Sequence, residues 1–177
     1  MTRFLSAVMG AMLALSCIPA AADQPHPVTG LPGARVKLIG EQGGTREYQL
    51  VFEPHTEIMA TLSDFILRNH FKAVHFTALG ACSDAIVGYY DPAARDYKRT
   101  PYQQQMEIVS LIGDAAPTNG GAGLHVHIGL AFADGTMHGG HLFEAHAAPT
   151  LEMFLVASPT PLERKHDAAL NLDLLVP

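Results

Sequence analysis

The chain has 177 residues, of which 48% are hydrophobic and 16% charged, with a formal net charge of −6. That is too apolar for a disordered chain and of a length that suits one packed domain. An acidic balance without a basic cluster argues against nucleic acid, since non-specific affinity for it comes from neutralising phosphates.

Residues 1–22 read as a secretory signal. Arg3 is the positive start, Phe4 to Ile18 is a short uncharged apolar run, and Ala20-Ala21-Ala22 is a small-residue cleavage site. The mature chain then starts near Asp23 and is periplasmic or secreted. The run is short for a membrane span, so no transmembrane segment is expected in the mature protein. Ser16-Cys17 after apolar residues offers a lipoprotein alternative, disfavoured because Ala14 stands where such signals prefer Leu. Cleavage after Ala22 removes Cys17 and leaves Cys82 alone, so no internal disulfide is expected. Cys82, between Ala81 and Ser83, reads as a buried inert thiol. Loss of Arg3 takes the net charge to −7, 10 basic against 17 acidic residues.

Residues 23–34, with Pro25, Pro27 and Pro32 beside Gly30 and Gly33, form an irregular leader, and residues 35–177 a single domain. Arg35 to Ile39 is a candidate first strand, followed by a turn at Glu41-Gln42-Gly43-Gly44. Arg46 to Glu53 reads as a strand with Tyr48, Leu50 and Phe52 on one face. Thr56 is the expected N-cap of an amphipathic helix in which Ile58, Leu62, Phe65 and Ile66 recur at helical spacing, ending at Arg68 or Asn69. Strands follow at Ala73 to Leu79, at Ala85 to Tyr90 after a break at Gly80, at Tyr97 to Tyr102, and at Gln105 to Ile112. A Gly- and Ala-rich loop spans Asp114 to Gly123. After a hairpin around Asp134-Gly135 come a strand at Thr150 to Ala157, a break at Pro159 and Pro161, and a last strand at Leu170 to Val176. One main amphipathic helix among seven or eight strands makes the expected fold class α+β, mostly antiparallel.

The hairpin carries the chemistry. His125 and His127 lie two apart on a strand and share a face, because the side-chain period is two. His141 follows Gly139-Gly140 on the return strand. A two-residue loop at Asp134-Gly135 would set position 127 opposite 142 and turn His141 away. A three-residue loop, Ala133-Asp134-Gly135 with Gly135 left-handed, sets 127 opposite 141 and gathers all three imidazoles on one face. Gly139-Gly140 offers a second place for the same shift. Three histidines leave a coordination position open for water, an anion or a carbonyl, the pattern of exchangeable or catalytic metal sites. Imidazole suits Zn, Cu, Fe or Ni, and Zn is the working assignment. On spacing alone, a structural role with the histidines hydrogen-bonded in a sheet stays open. His138 and His146 take the other parity and are not counted as ligands.

Other chemistries have less support. The sequence holds no Gly-x-Ser-x-Gly elbow, phosphate-binding glycine loop or His-Glu-x-x-His. A cupin would place Glu four residues after its second His, where this chain has Ala131. Glu107, Asp134 and Glu144 are the acids near the hairpin, with Glu107 the candidate catalytic base, and for each of the three a solvated or structural role is the simpler reading.

Taken in order, the motifs resemble the plants-and-prokaryotes conserved (PPC) domain over roughly residues 46 to 157. They are Arg46-x-Tyr48-x-Leu50, Leu62 and Phe65, Ala78-Leu79-Gly80-Ala81, Val87-Gly88-Tyr89-Tyr90-Asp91, Tyr97 and Glu107-Ile108-Val109-Ser110-Leu111-Ile112-Gly113. After these come Leu124-His125-Val126-His127, Asp134-Gly135, Gly139-Gly140-His141-Leu142 and Thr150-Leu151-Glu152-Met153. The resemblance implies one helix packed on an antiparallel sheet, a homotrimer, and a metal site on His125, His127 and His141. The family's DNA-binding label belongs to plant members with basic AT-hook segments, and no Arg-Gly-Arg-Pro hook occurs here. Three functional expectations follow. The first is an exported metal-binding protein taking a small ligand. The second is a metal-dependent hydrolase or lyase at the same site. The third, disfavoured by charge and export, is a DNA-binding or assembly module.

Overall fold

The computed structural model describes residues 30–118 and 120–177. The expected signal segment and the leader up to residue 29 lie outside them. The leader's end is not irregular: β1 (Gly30–Leu31) pairs antiparallel with β2 (Ala34–Gln42) across a turn in which Gly33 takes φ +80°. β2 returns as β3 (Thr45–Phe52), where the expected alternation holds and Tyr48, Leu50 and Phe52 are fully buried.

The single helix among the described residues, α1 (Ile58–Arg68), is short, and its cap differs from expectation. Thr56 does not cap it, because its Oγ1 donates to the Gly33 carbonyl at 2.8 Å. Glu57 is the N-cap instead. Its carboxylate accepts from Met59 N at 3.1 Å and from Ala60 N, and from Ala145 N at 3.3 Å on a neighbouring strand. The helix lays Ile58, Leu62, Phe65 and Ile66 on the sheet, where Phe65 meets Tyr48 and Phe71 at ring distances of 5.3 and 5.6 Å. Glu57→Ala is expected to cost about 1 kcal/mol, read as a melting point lower by roughly 2–4 °C. An unchanged melt would mean that the cap is dispensable.

Two long strands replace four expected ones. β4 (Val74–Asp91) runs through Gly80 without a break, and the glycine instead marks a register shift between Ala78 and Gly80 against the strand at Met106–Ala115. A Cβ at Gly80 would collide with the Thr150 carbonyl, so the glycine serves close strand approach rather than chain termination. β5 (Asp96–Tyr102) and β6 (Met106–Ala115) both pair with β4. β7 (Leu124–Ala131) pairs with β6, and β8 (Met137–Ala157) joins the return strand of the hairpin to the expected strand at Thr150 to Ala157.

The sheet order is β1-β2-β3-β8-β7-β6-β4-β5, with β4 also pairing to β8. The strands β8, β7, β6 and β4 therefore close into a ring around an apolar interior that includes Met106, Ile108, Leu111, Val126, Leu130 and Leu142. Cys82 is fully buried, and burial, with Asp84 and Glu107 adding, pushes its thiol up to about 12. This is an unreactive thiol at neutral pH.

The C-terminus departs most from expectation. Beyond Pro159 and Pro161, β9 (Glu163–Asp167) pairs with β10 (Leu172–Val176) as a separate two-stranded sheet. The sequence pattern predicts a strand at 170–176 only. No helix among the described residues is long and apolar enough to cross a membrane.

Candidate metal centre

The hairpin turn decides where the histidines face. Phe132 N donates to the Thr136 carbonyl and Gly135 N to the Phe132 carbonyl, both at 2.9 Å. Ala133-Asp134-Gly135 is thus a three-residue loop, with Gly135 at φ +83°. Asp134 braces it by accepting from Thr136 N at 2.9 Å and from Thr136 Oγ1 at 2.7 Å. The odd loop sets His127 opposite His141, and every pair from there to Ala131 and Met137 keeps that register. Gly139-Gly140 adds no shift between β7 and β8.

Along β7, Val126, Ile128 and Leu130 point into the core, which turns His125 and His127 outward. His141 sits where β8 leaves β7 and joins β4, pairing with His127 on one side and Gly88 on the other. Its ring is half-buried, stacked on Tyr97 at 4.6 Å and against Phe143 at 5.0 Å. The Arg99 guanidinium lies 3.9 Å from the Phe143 ring centre.

The three imidazoles converge, with one nitrogen from each lying within 4.8 Å of the others. His125 Nε2 and His127 Nε2 are 3.3 Å apart. Metal–nitrogen bonds of about 2.0–2.1 Å at tetrahedral angles require nitrogens roughly 3.3–3.4 Å apart, so this edge already has the span of a tetrahedral metal site. Burial lowers the His125 pKa. Burial, then His125 and His127, then Arg99, bring His141 down to about 4. His125 and His141 are therefore neutral at pH 7, the form that ligates metal.

A carboxylate that sequence reading passed over stands behind the histidines. Asp114 pairs across strands with His125, and its Oδ2 lies 3.9 Å from His125 Nδ1. Asp114 is held by Arg164 of β9, whose side chain is 7% exposed and whose Nη1 also donates to the Asp173 carbonyl at 3.1 Å. Carboxylates behind metal-binding histidines orient the ring and raise its basicity. Arg164 is fifty residues from Asp114 in the chain, so no local pattern announces the pair.

The register leaves Glu107 out. It pairs with Ala131, four residues along β7 from His127, which at about 3.3 Å per residue is roughly 13 Å away. As a candidate base it does not reach the centre. His138 stacks on Phe132 and Tyr102 instead of joining the cluster. His146 is partly buried and lies apart from the cluster. Its Nδ1 pairs with Asp84 Oδ1 at 2.8 Å, which raises its pKa, and Glu144 lies beside them.

A sequence model of the Plants and Prokaryotes Conserved (PCC) domain, the domain abbreviated PPC above, matches residues 39–159. No curated protein sequence matches the chain. Among solved structures, a protein from Bacteroides thetaiotaomicron, described provisionally as DNA-binding, superposes with a TM-score of 0.75 at 24% identity, covering 81% of this chain and 97% of its own. A plant- and prokaryote-conserved protein from Pyrococcus horikoshii gives 0.70 at 24% identity over 85% of this chain and 97% of its own. A protein from Archaeoglobus fulgidus, described as metal-containing, gives 0.69 at 27% identity over 80% of this chain and 99% of its own.

Proposed function

The chain belongs to the Plants and Prokaryotes Conserved domain family, and from that premise we propose that it is an exported protein binding a divalent metal, zinc, through His125, His127 and His141. The open coordination position takes a small anionic or carbonyl ligand. The observation that carries this reading is the 3.3 Å separation of the two Nε2 atoms together with the convergence of His141. The description of the Archaeoglobus neighbour as metal-containing supports it. A bound divalent ion would supply Lewis acidity toward a carbonyl or an activated water. Asp114, positioned by Arg164, would hold the His125 ring for it. The chain's formal charge of −6 weighs against a nucleic-acid role.

The test is elemental analysis of the mature protein after equilibration with zinc and removal of the excess. About one zinc per chain is expected in the parent, and none in His125→Ala or His141→Ala. No metal in the parent, or the same content in the variants, would overturn the reading.

Export is supported by Arg3, the apolar run Phe4 to Ile18 and the Ala20-Ala21-Ala22 site, and intact residues 1–22 on the cellular protein would overturn it. The proposed assembly is a homotrimer. An exposed apolar row supports a protein contact on this side of the sheet. Phe154 and Ile112, 54% and 58% exposed, flank Thr77 across β8, β4 and β6, with Leu79 and Val109 beside them. The same row continues from Ile112 to His127. A monomer in sedimentation at micromolar concentration would exclude the trimer.

A further inference from the structure

The β9–β10 hairpin lies beyond the family-matched residues, yet it walls the candidate metal centre. A cavity of about 500 Å³ opens beside His125 and His141. Leu124, Tyr97 and Thr118 line it from the body of the protein, and Leu172, Leu174 and Leu175 line it from β10. The volume lies within the range of small-ligand pockets, roughly 300–1,000 Å³, which are mostly apolar with a few polar groups.

This wall is held in place rather than draped. Arg164 ties β9 to Asp114, Tyr90 Oη donates to the Leu170 carbonyl at 2.6 Å, and Leu162 N donates to the Lys72 carbonyl at 3.3 Å. Asp167 closes the hairpin turn by accepting from Ala169 N at 2.8 Å and Leu170 N at 3.1 Å. A ligand entering here meets a surface whose ordering has already occurred, which favours affinity.

We infer that the C-terminal hairpin sets ligand specificity, and that the ligand is a short aliphatic carboxylate with its head at the open metal position and its tail on Leu172, Leu174 and Leu175. The inference rests on the metal reading above. Charge argues for the head group. The centre's own donors are imidazoles, Asp114 is committed to Arg164, and Asp173 is paired with His166 at 3.0 Å. A bound divalent ion therefore faces the cavity without a free carboxylate to offset it. The lining argues for the tail. Tyr97 and Thr118 supply hydroxyls there, and Arg164, a cation in the same lining, is already engaged through its Nη groups with Asp114 and the Asp173 carbonyl, so few donors remain for a phosphate or sulfate, whereas three leucines suit methylenes.

The experiment is titration calorimetry of the full mature protein loaded with zinc, against acetate, propionate, butyrate and pentanoate. Each added methylene is expected to tighten binding by about two- to fourfold. In the double variant Leu174→Ser, Leu175→Ser, acetate should bind as in the parent while the gain per methylene disappears. Both leucines are about two-fifths exposed, at 39% and 41%, so the fold should tolerate the change, and a thermal melt checks this. Leu174→Ser alone, with a smaller loss of slope, is the fallback should the double variant misfold. Zinc bound with no chain-length dependence, or an unchanged slope in the variants, would overturn the hairpin's role alone. Absence of zinc from the parent would overturn the metal centre and this inference with it.

Discussion

Zinc added to metal-stripped protein at pH 7 is expected to raise its melting point by roughly 5–15 °C, and His127→Ala to abolish the rise. A ligand that binds only the folded state stabilises it by about 2.7 kcal/mol at a hundred times its dissociation constant and about 4.1 at a thousand times. For a domain of this size each kcal/mol is worth roughly 2–4 °C. The preorganisation is visible in the sheet. His127 sits between His141 and Ile112 in a continuous ladder, and its outward direction is forced by the burial of Val126 and Ile128. Removing it takes away one corner of the 3.3 Å nitrogen edge and leaves two imidazoles on different strands.

The metal-free protein should also respond to acid in a defined direction. Above pH 6.5 His141 is neutral in both folded and unfolded chains, so it contributes no slope. Below 6.5 the unfolded imidazole takes up a proton that the folded one, with its pKa at about 4, refuses. Stability therefore falls as pH drops from 6.5 toward 4, and it falls more steeply with metal bound, because the ligating imidazoles stay proton-free while the unfolded ones protonate. Thermal melts of stripped and loaded protein across that interval check both statements. No zinc-induced shift at pH 7, or an equal shift in His127→Ala, would exclude the three-histidine centre.

What the sequence made legible was mostly local. The helix showed through Ile58, Leu62, Phe65 and Ile66, because one buried face imposes a helical period. Tyr48, Leu50 and Phe52 showed the core face of β3 for the same reason at period two. The histidine face followed from parity and loop length, since Asp134-Gly135 admits few hairpin geometries. The rest depended on contacts distant in the chain. Gly80 reads as a break in isolation, yet it lies inside an 18-residue strand paired on both sides, where a tight approach to Thr150 excludes a side chain. Thr56 reads as a cap until Gly33 claims its hydroxyl from 23 residues away. β9 carries Glu163, Arg164, Lys165, His166 and Asp167, a charged run with no strand pattern, and it becomes a strand by pairing with β10. Asp114 and Arg164 were invisible for that reason, although they stand closer to the histidines than Glu107 does.

The glycines before His141 serve approach between strands, and Gly140→Ala is expected to cost about 2–4 kcal/mol, from overpacking and a disfavoured backbone angle. Gly140 holds φ +155°, and a Cβ there would sit 2.5 Å from the Gly88 carbonyl oxygen. At Gly139 a Cβ would collide with the Ile128 carbonyl. Here β8 is pressed between β7 and β4, and the crossing from one partner to the other happens at the next residue, His141. Gly88 answers from the other side, since a Cβ on it would lie 2.9 Å from Tyr97 and 2.5 Å from Phe143, the two rings that hold the His141 imidazole. A methyl at 140 must push β8 away from β4 and carry His141 with it. The variant should melt roughly 5–15 °C lower and bind zinc at least tenfold more weakly, as expected when a ligand ring loses its orientation. Gly30→Ala, where an added Cβ meets nothing within 4 Å, should change stability by less than about 0.5 kcal/mol. A Gly140→Ala protein that melts like the parent would show that β4 and β8 are not in close contact at this crossing. If it melts lower but keeps its zinc affinity, the glycine step supports the barrel without positioning His141, and the metal centre draws its geometry from the hairpin alone.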